Sequence, residues 1–494
     1  MALFGGVTMP GRPDPENVRK LDLLPVPLTM RMERVGFAID IPYLHELELQ
    51  LDREMKTLRE EICSYIPEEK LDEFIGRSKL DDDDYLPMNV NSRDQLSVLL
   101  FDVLGVGSGR KLKMTKSGTR VSTGKKQLES LKRGSRVVQA SLDYAERFKL
   151  KNTYAVKMPQ AAKLHPRGND CPVCELSHVE STLRVHTTLL DTRTDTGRYA
   201  SKNPNLQNLP VRTALGRAVR AGFVASPGKL LVSSDYSQEE MRIGAHYSQD
   251  PALMEIFRKG LDPHLVTAMK VFKLTDADIP SKKDESACNE FKLSYRDPSR
   301  HLNFGIFYGL SPMGLADQVA VTYATAGREL PDEINEEWAE KVIEDWYDAY
   351  EGVKTYIEQQ HYRARRYGIV WTLFGRVRRV PETRSVHSRV HAAGLRQSGN
   401  TPIQGTGADI MRLTMGAMAA HPEIAQLQDS GVHVEPVLTI HDDLIYEVDE
   451  DYASMVGMIL QEVERELLRD KDTGEYLFRV PLEADAKIMT RWQK

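Results

Sequence analysis

Leu438–Val448, LTIHDDLIYEV, sets two adjacent carboxylates, Asp442 and Asp443, inside an apolar, β-prone run. Desolvating a carboxylate is costly, so such a pair needs water, a hydrogen-bond network or a cation. The flanking runs VEPVLTI and LIYEVDE read as two strands joined at HDD into a hairpin. Strand side chains alternate between faces, but at a hairpin corner one carboxylate can project from the tip. Read alone, HDD fits a solvent-facing turn with ordinary acids better than a metal site.

A second carboxylate ends a second buried strand. GKLLVSSDYSQEEMRIGAHYS, residues 228–248, reads as strand, then helix, with Asp235 at the joint. If the two strands are sheet neighbours, Asp235 and Asp442 meet. Two ionised carboxylates that close call for a cation between them. Hard oxygen ligands suit Mg²⁺, which takes one or two carboxylates plus substrate phosphates. A pair of such ions about 4 Å apart clamps both oxygens of an in-line phosphoryl displacement.

RDPSRHLNFGIFYGLS, Arg296–Ser311, adds the third element. On a helix, Arg296, Arg300, Phe304 and Tyr308 form one slowly drifting stripe. Guanidinium forks match phosphate oxygens and aromatic rings stack on bases, so the stripe fits a nucleoside triphosphate. An amphipathic helix with a solvated basic start fits it as well.

The bulk properties are permissive. The 494 residues suffice for about three domains, and 41% of them are hydrophobic. No apolar run reaches the length of a membrane span, and the N-terminus lacks the apolar region of a secretory signal. Four cysteines in this length argue for a reducing interior rather than a disulfide framework. The net charge is −6, yet residues 184–220 hold seven Arg or Lys against two acids, and residues 361–379 hold six Arg and no acid. Such clusters fit a phosphate-tracking groove or solvated helix faces.

Along the chain, the first 25 residues are rich in Pro and Gly and read as an arm or linker. LHELELQLDREMKTLREEICSYI, residues 44–66, predicts a long amphipathic helix. Helices are predicted through VVQASLDYAERFKLKNTY and over 252–272, 335–367 and 451–468. Residues 389–420 predict two helices separated by a kink at Pro402.

Taken in order, these stretches resemble family A DNA polymerases of the bacterial polymerase I and phage type. DYSQEEMR resembles that family's motif A, RDPSRHLNFGIFYG its motif B and HDD its motif C. TGRYASKNPNLQNLPVR, GLDPHLVTA, TLFGRVRR and NTPIQGTGAD resemble four further elements, and NVNSRDQL, TKSGTRVST and KLKNTY resemble the thumb region. The likeness runs from about Leu28 to Trp492.

The resemblance implies an α+β right hand with an antiparallel palm sheet and mostly helical thumb and fingers. The expected divisions are an arm (1–25), thumb (26–185, with an insertion at about 164–181), first palm part (186–255), fingers (256–380) and second palm part (381–494). Asp235 and Asp442 are expected to hold two Mg²⁺ with the backbone carbonyl of Tyr236. Gln238, Glu240, His264, Arg296, Arg300, Phe304 and Tyr308 are expected around the incoming nucleotide, with Glu240 as the steric gate against a ribose 2′-OH. Lys149, Lys151, Arg198, Asn205, Gln207, Asn208, Arg212, Arg376, Asn400, Gln404 and His441 are expected along the DNA. Arg and Gln in the minor groove check pair shape without reading sequence.

Three departures stand out. Motif C usually reads HDE, whereas Asp443 here is one methylene shorter. Motif B usually carries Lys at the place of Arg300; an Arg still clamps phosphates but is a poor proton donor. LHPRGNDCPVCELSHVE is an insertion in which His165, Cys171, Cys174 and His178 have a spacing that can hold structural Zn²⁺, or be incidental. Only about 25 residues from Met1 precede the thumb-like region. The chain is therefore expected to lack a 3′–5′ exonuclease domain, so that proofreading comes from another chain or is absent.

The implied activity is template-directed DNA synthesis on primer-template DNA with dNTPs, by a monomer in the cytoplasm of a bacterial or phage-infected cell, with no membrane contact. A helicase, a processivity protein or a separate exonuclease would be natural partners. A silent DNA-binding scaffold and a two-metal nuclease are the competing readings. Intact Asp235 and Asp442 argue against the first, the Arg-Arg-Phe-Tyr stripe against the second, and Glu240 against RNA synthesis.

Overall fold

A computed structural model describes residues 3–75, 87–109, 112–115, 117–132, 135–164, 183–191, 193–210, 213–470 and 472–493. Its central element is a four-stranded antiparallel sheet in the order Ala484–Met489, Lys229–Tyr236, Asp443–Asp449, Val434–Ile440. Every residue of Val434–Ile440 is buried, as are the first six of Asp443–Asp449. Sheets covered on both faces read as continuous apolar runs rather than alternating ones, and these two do. Leu231, Ser233 and Asp235 share one face with Asp443, Ile445 and Glu447, set by the register Asp443 opposite Asp235. Val232, Ser234 and Tyr236 face the other way, toward the helix Ala453–Glu466, where Ser234 donates to Glu464.

The helix Ile41–Cys63 starts at an Asp40 cap, whose carboxylate accepts from the Tyr43 amide at 3.0 Å, with Pro42 in the first turn. Leu44, Leu47, Leu51, Met55, Leu58 and Ile62 are its buried stripe. It packs on Arg136–Leu150, to which the pairs Arg136–Glu61 (2.6 Å) and Arg147–Glu54 (2.6 Å) tie it.

The region predicted as one helix over 252–272 is two, Pro251–Arg258 and Pro263–Val271. Gly260 turns the chain at φ 63°, and Asp262 caps the second helix through the amides of His264 and Leu265. Residues 335–367 likewise divide at Tyr350 into Glu336–Ala349 and Glu351–Tyr367. A buried polar pin joins this helical layer: Asn303 Oδ1 accepts from Trp346 Nε1 at 2.9 Å and Thr267 Oγ1 at 3.0 Å.

Pro402 does not split its helix. Ser388–Ala419 is one element of 32 residues. Proline removes a rung and crowds the preceding turn. Here two phenols brace the turns around it: Tyr356 Oη donates to the Gly399 carbonyl at 3.1 Å and Tyr247 Oη to that of Pro402 at 3.3 Å. The first 25 residues are also folded in. Leu3, Val7 and Leu21 are fully buried in the largest core, and Pro15–Leu23 is a helix capped by Asp14. The next helix, Val26–Val35, packs on the edge strand Val434–Ile440. Among the described residues, no helix is long and apolar enough to cross a membrane.

Candidate active site

The hairpin turn is two residues, His441 and Asp442, between strands ending at Ile440 and starting at Asp443. Tight hairpins demand a positive φ, and His441 takes it at 57°. That places Asp442 at the tip and Asp443 in the sheet, directly across from Asp235. Asp443 is 4% exposed and accepts from Ser233 Oγ at 2.7 Å. Arg220, stacked 4.1 Å over the Trp492 ring, lends it positive potential. Asp485 flanks Asp235 on its other side, so three aspartates cross the sheet in one row.

Partial burial, then the negative charges of Asp235 and Asp443, push Asp442 up to about 6. Glu239, which opens the next helix, is buried against Gly407, with Oε1 lacking a hydrogen-bond partner among the described residues. Burial and the Asp442 charge hold it well above the usual carboxylate range. Five acids thus crowd one sheet end. No group of three or more metal-ligating side chains is arranged around a common point among the described residues. A crowded carboxylate pair still suits Mg²⁺, whose remaining ligands are typically water and phosphate. Tyr236 is buried, its phenol 2.7 Å from Thr414 Oγ1, and its strand position leaves it beside Asp235.

A second constellation stands next to the acids. Gln238, at φ 56°, turns the chain into the helix Glu239–Ser248 and so aims Glu240. Glu240 accepts from Arg198 Nη2 at 2.7 Å and from the Tyr308 hydroxyl, which accepts in turn from Gln404 Nε2 at 2.6 Å. Tyr308 and Phe304 remain partly exposed.

The stripe is not one regular helix. A π turn over Lys292–Arg296 leads into Asp297–Gly305, and a tight turn, Ile306–Tyr308, ends at Gly309. Arg296 pairs with Asp262 at 3.0 Å, while Arg300 is exposed. His264 is buried, 3.1 Å from Asn303 Nδ2 and beneath the Phe304 ring at 5.5 Å. Burial, with Arg296 and Arg300 nearby, pulls it down to about 4, so it is neutral at pH 7.

The residues expected along the DNA divide. His441, Asn205, Asn208 and Lys149 are exposed, and Gln404 and Asn400 partly so. Gln207 is buried, clipping its loop to the Thr439 carbonyl at 2.5 Å. Lys151 is paired with Asp52 at 2.6 Å. Arg376 is held between Asp22 (2.6 Å) and Asp409 (2.7 Å), largely out of solvent. Arg212, His165, Cys171, Cys174 and His178 lie outside the described residues. Asp22, Glu239, Asp409, Arg412 and Asp485 went unremarked in the sequence; only Glu239, an acid beside Glu240, carried a local signal.

Residues 41–494 match the family model described as DNA polymerase family A. The chain is 34% identical over 462 residues to the thermostable DNA polymerase I of Thermus thermophilus, covering 94% of this chain and 46% of that one. It is 31% identical over 469 residues to DNA polymerase I of Pseudomonas aeruginosa, covering 95% and 43%. The chain therefore spans about half the length of these relatives. Among solved structures it is similar to the POL domain of Pol1 from M. smegmatis in complex with DNA primer-template and dNTP, at TM-score 0.73 and 28% identity, covering 97% of this chain and 72% of that one. The fold is accordingly the α+β right hand with a palm sheet, and this chain belongs to DNA polymerase family A.

Proposed function

We propose that this chain is a template-directed DNA polymerase that extends a primer 3′-OH with dNTPs by two-metal nucleotidyl transfer. The observation that carries the reading is Asp235 beside the Asp442 turn, next to the Glu240–Tyr308 constellation and the Arg296–Arg300 stripe. The residues present fit two Mg²⁺, held by Asp235, Asp442 and the Tyr236 carbonyl. When bound, these ions neutralise charge on the transferring phosphoryl group and its oxygens.

The chain's own residues do the rest. Arg296 and Arg300 offer guanidinium forks to the triphosphate. Neutral His264 keeps a ring N–H to donate. Phe304 and Tyr308 supply stacking surface for base and sugar. Glu240, fixed from both sides by Arg198 and Tyr308, fills the space where a 2′-OH would lie. Gln404, Asn400 and His441 face the new pair, and Lys149 with the neighbouring helix end tracks phosphates. Primer-template DNA and dNTPs, the molecules in the similar M. smegmatis complex, are the proposed partners of a monomer.

Primer extension with dNTP, NTP and no-nucleotide lanes, in Mg²⁺ and in chelator, tests this. Extension should need both dNTP and Mg²⁺, and the no-nucleotide lane should leave the primer intact. Shortening of the primer with no extension would establish a nuclease instead, and an unchanged primer in every lane a silent binder.

A further inference from the structure

We infer that Asp22, on the helix before the recognised motifs, is a positioning residue for sugar selection at the nucleotide site. The inference rests on the polymerase reading above. Asp22 lies at the end of Pro15–Leu23, far in sequence from Arg198 and Glu240. Its carboxylate takes Arg376 Nη2 at 2.6 Å and stands 3.3 Å from Arg412 Nη1. Asp409, fully buried, takes Arg376 Nε at 2.7 Å and Thr372 Oγ1 at 2.6 Å. Two guanidiniums and two carboxylates thus form a closed group, balanced in charge.

Arg412 turns that group into a brace. It is 1% exposed, and its Nη2 donates to the carbonyls of Asp191 at 2.5 Å and Gly197 at 3.0 Å. Its guanidinium also lies over the Tyr199 ring at 4.9 Å. Arg412 therefore holds the loop on both sides of Arg198. Gly197 lies so close to Arg376 that an added Cβ would sit 2.9 Å from Nε, and its φ of 81° suits glycine. Thr194 Oγ1 closes the loop on the Arg198 carbonyl at 2.7 Å. The guanidinium of Arg198 then reaches Glu240, and Glu240 holds Tyr308.

Loss of the Asp22 charge leaves buried Arg412 and largely buried Arg376 with Asp409 as their one nearby carboxylate among the described residues. Such an imbalance is costly, and the freed guanidinium is drawn toward the next acid. The loop carrying Arg198 shifts with it, and Glu240 loses its fixed position under the sugar.

The test compares Asp22→Asn, Asp22→Glu and wild type for kcat/KM with dNTP and with the matching NTP, alongside primer-template affinity. Asp22→Asn should lower the dNTP-over-NTP ratio on the order of tenfold, within the range expected for a coupled network. Asp22→Glu should restore most of it, and primer-template affinity should hold. If Asp22→Asn does not fold, Arg412→Lys carries the same test, because it keeps a charge beside Asp22 but loses the guanidinium whose Nε and Nη2 hold the Asp191 and Gly197 carbonyls. An unchanged ratio in the folded variant, whatever its total activity, would overturn the inference. A wild type that incorporates no dNTP defeats the polymerase reading itself, and this inference with it.

Discussion

Asp442→Asn should make the cation-free protein more stable while ending synthesis. In wild type, Asp442 sits with Asp235 and Asp443 at a partly buried sheet end, and its carboxyl is pushed from 3.8 up to about 6. Holding it ionised at neutral pH therefore costs about 3 kcal/mol relative to the unfolded chain. For an acid raised on folding the sign is fixed. The cost is absent below the unfolded value, grows as pH rises through the window from 3.8 to about 6, and is complete above it. Asparagine keeps the shape and removes the charge. A chain of 494 residues gains about 1 kcal/mol/K of entropy on unfolding, so about 3 kcal/mol corresponds to about 3 °C in Tm if unfolding is cooperative. The assay is thermal unfolding in chelator at pH 8 and pH 4.5, wild type against Asp442→Asn. The variant should gain about 3 kcal/mol at pH 8, shrinking to about 1 kcal/mol at pH 4.5. Adding Mg²⁺ should then stabilise wild type more than the variant. No gain at pH 8, or an equal gain at both pH values, would refute the crowding argument.

Two further substitutions probe the nucleotide side. Arg300 is exposed beside His264 and, with a guanidinium, can neutralise pyrophosphate but not readily protonate it. Single-turnover pH–rate profiles should therefore gain a basic limb in Arg300→Lys that wild type lacks; superimposable curves would count against this. Phe304 presents a half-exposed ring above His264, and a phenolic oxygen there can replace a missing 3′-OH contact. Phe304→Tyr should raise dideoxynucleotide incorporation on the order of tenfold, about the worth of one good hydrogen bond. A competition assay with unchanged selectivity would remove the basis for it.

Three strands of the central sheet were legible because they are apolar runs with carboxylates at their ends, whereas Ala484–Met489, whose outward face is exposed, was not read from the sequence. The long helix over Ile41–Cys63 was legible because its buried positions recur every three or four residues over nearly six turns. Other features depend on partners distant in sequence. Pro402 reads as a break until Tyr247 and Tyr356 are found to brace the carbonyls around it. The opening residues read as an arm or linker because they are rich in Pro and Gly, yet Leu3, Val7 and Leu21 are fully buried. Gln207 and Arg376 look like DNA contacts by type, but a strand carbonyl and two aspartates already occupy them. Nothing local distinguishes an arginine that meets a phosphate from one that meets a buried acid.

The unbroken helix Ser388–Ala419 is about 48 Å of rod, and it reaches three places at once. Gln404 grips Tyr308 beside Glu240, Asp409 holds Arg376, which pairs with Asp22 of the opening segment, and Thr414 props the Tyr236 phenol behind the strand that carries Asp235. Its one missing rung, at Pro402, falls within a turn of Gln404. Flexure is therefore cheapest just beside the pocket and dearest behind the sheet. If nucleotide enters beside Gln404, the upper half is free to bend while the lower half stays packed behind the strand that carries Asp235, a lever with its fulcrum built into the backbone.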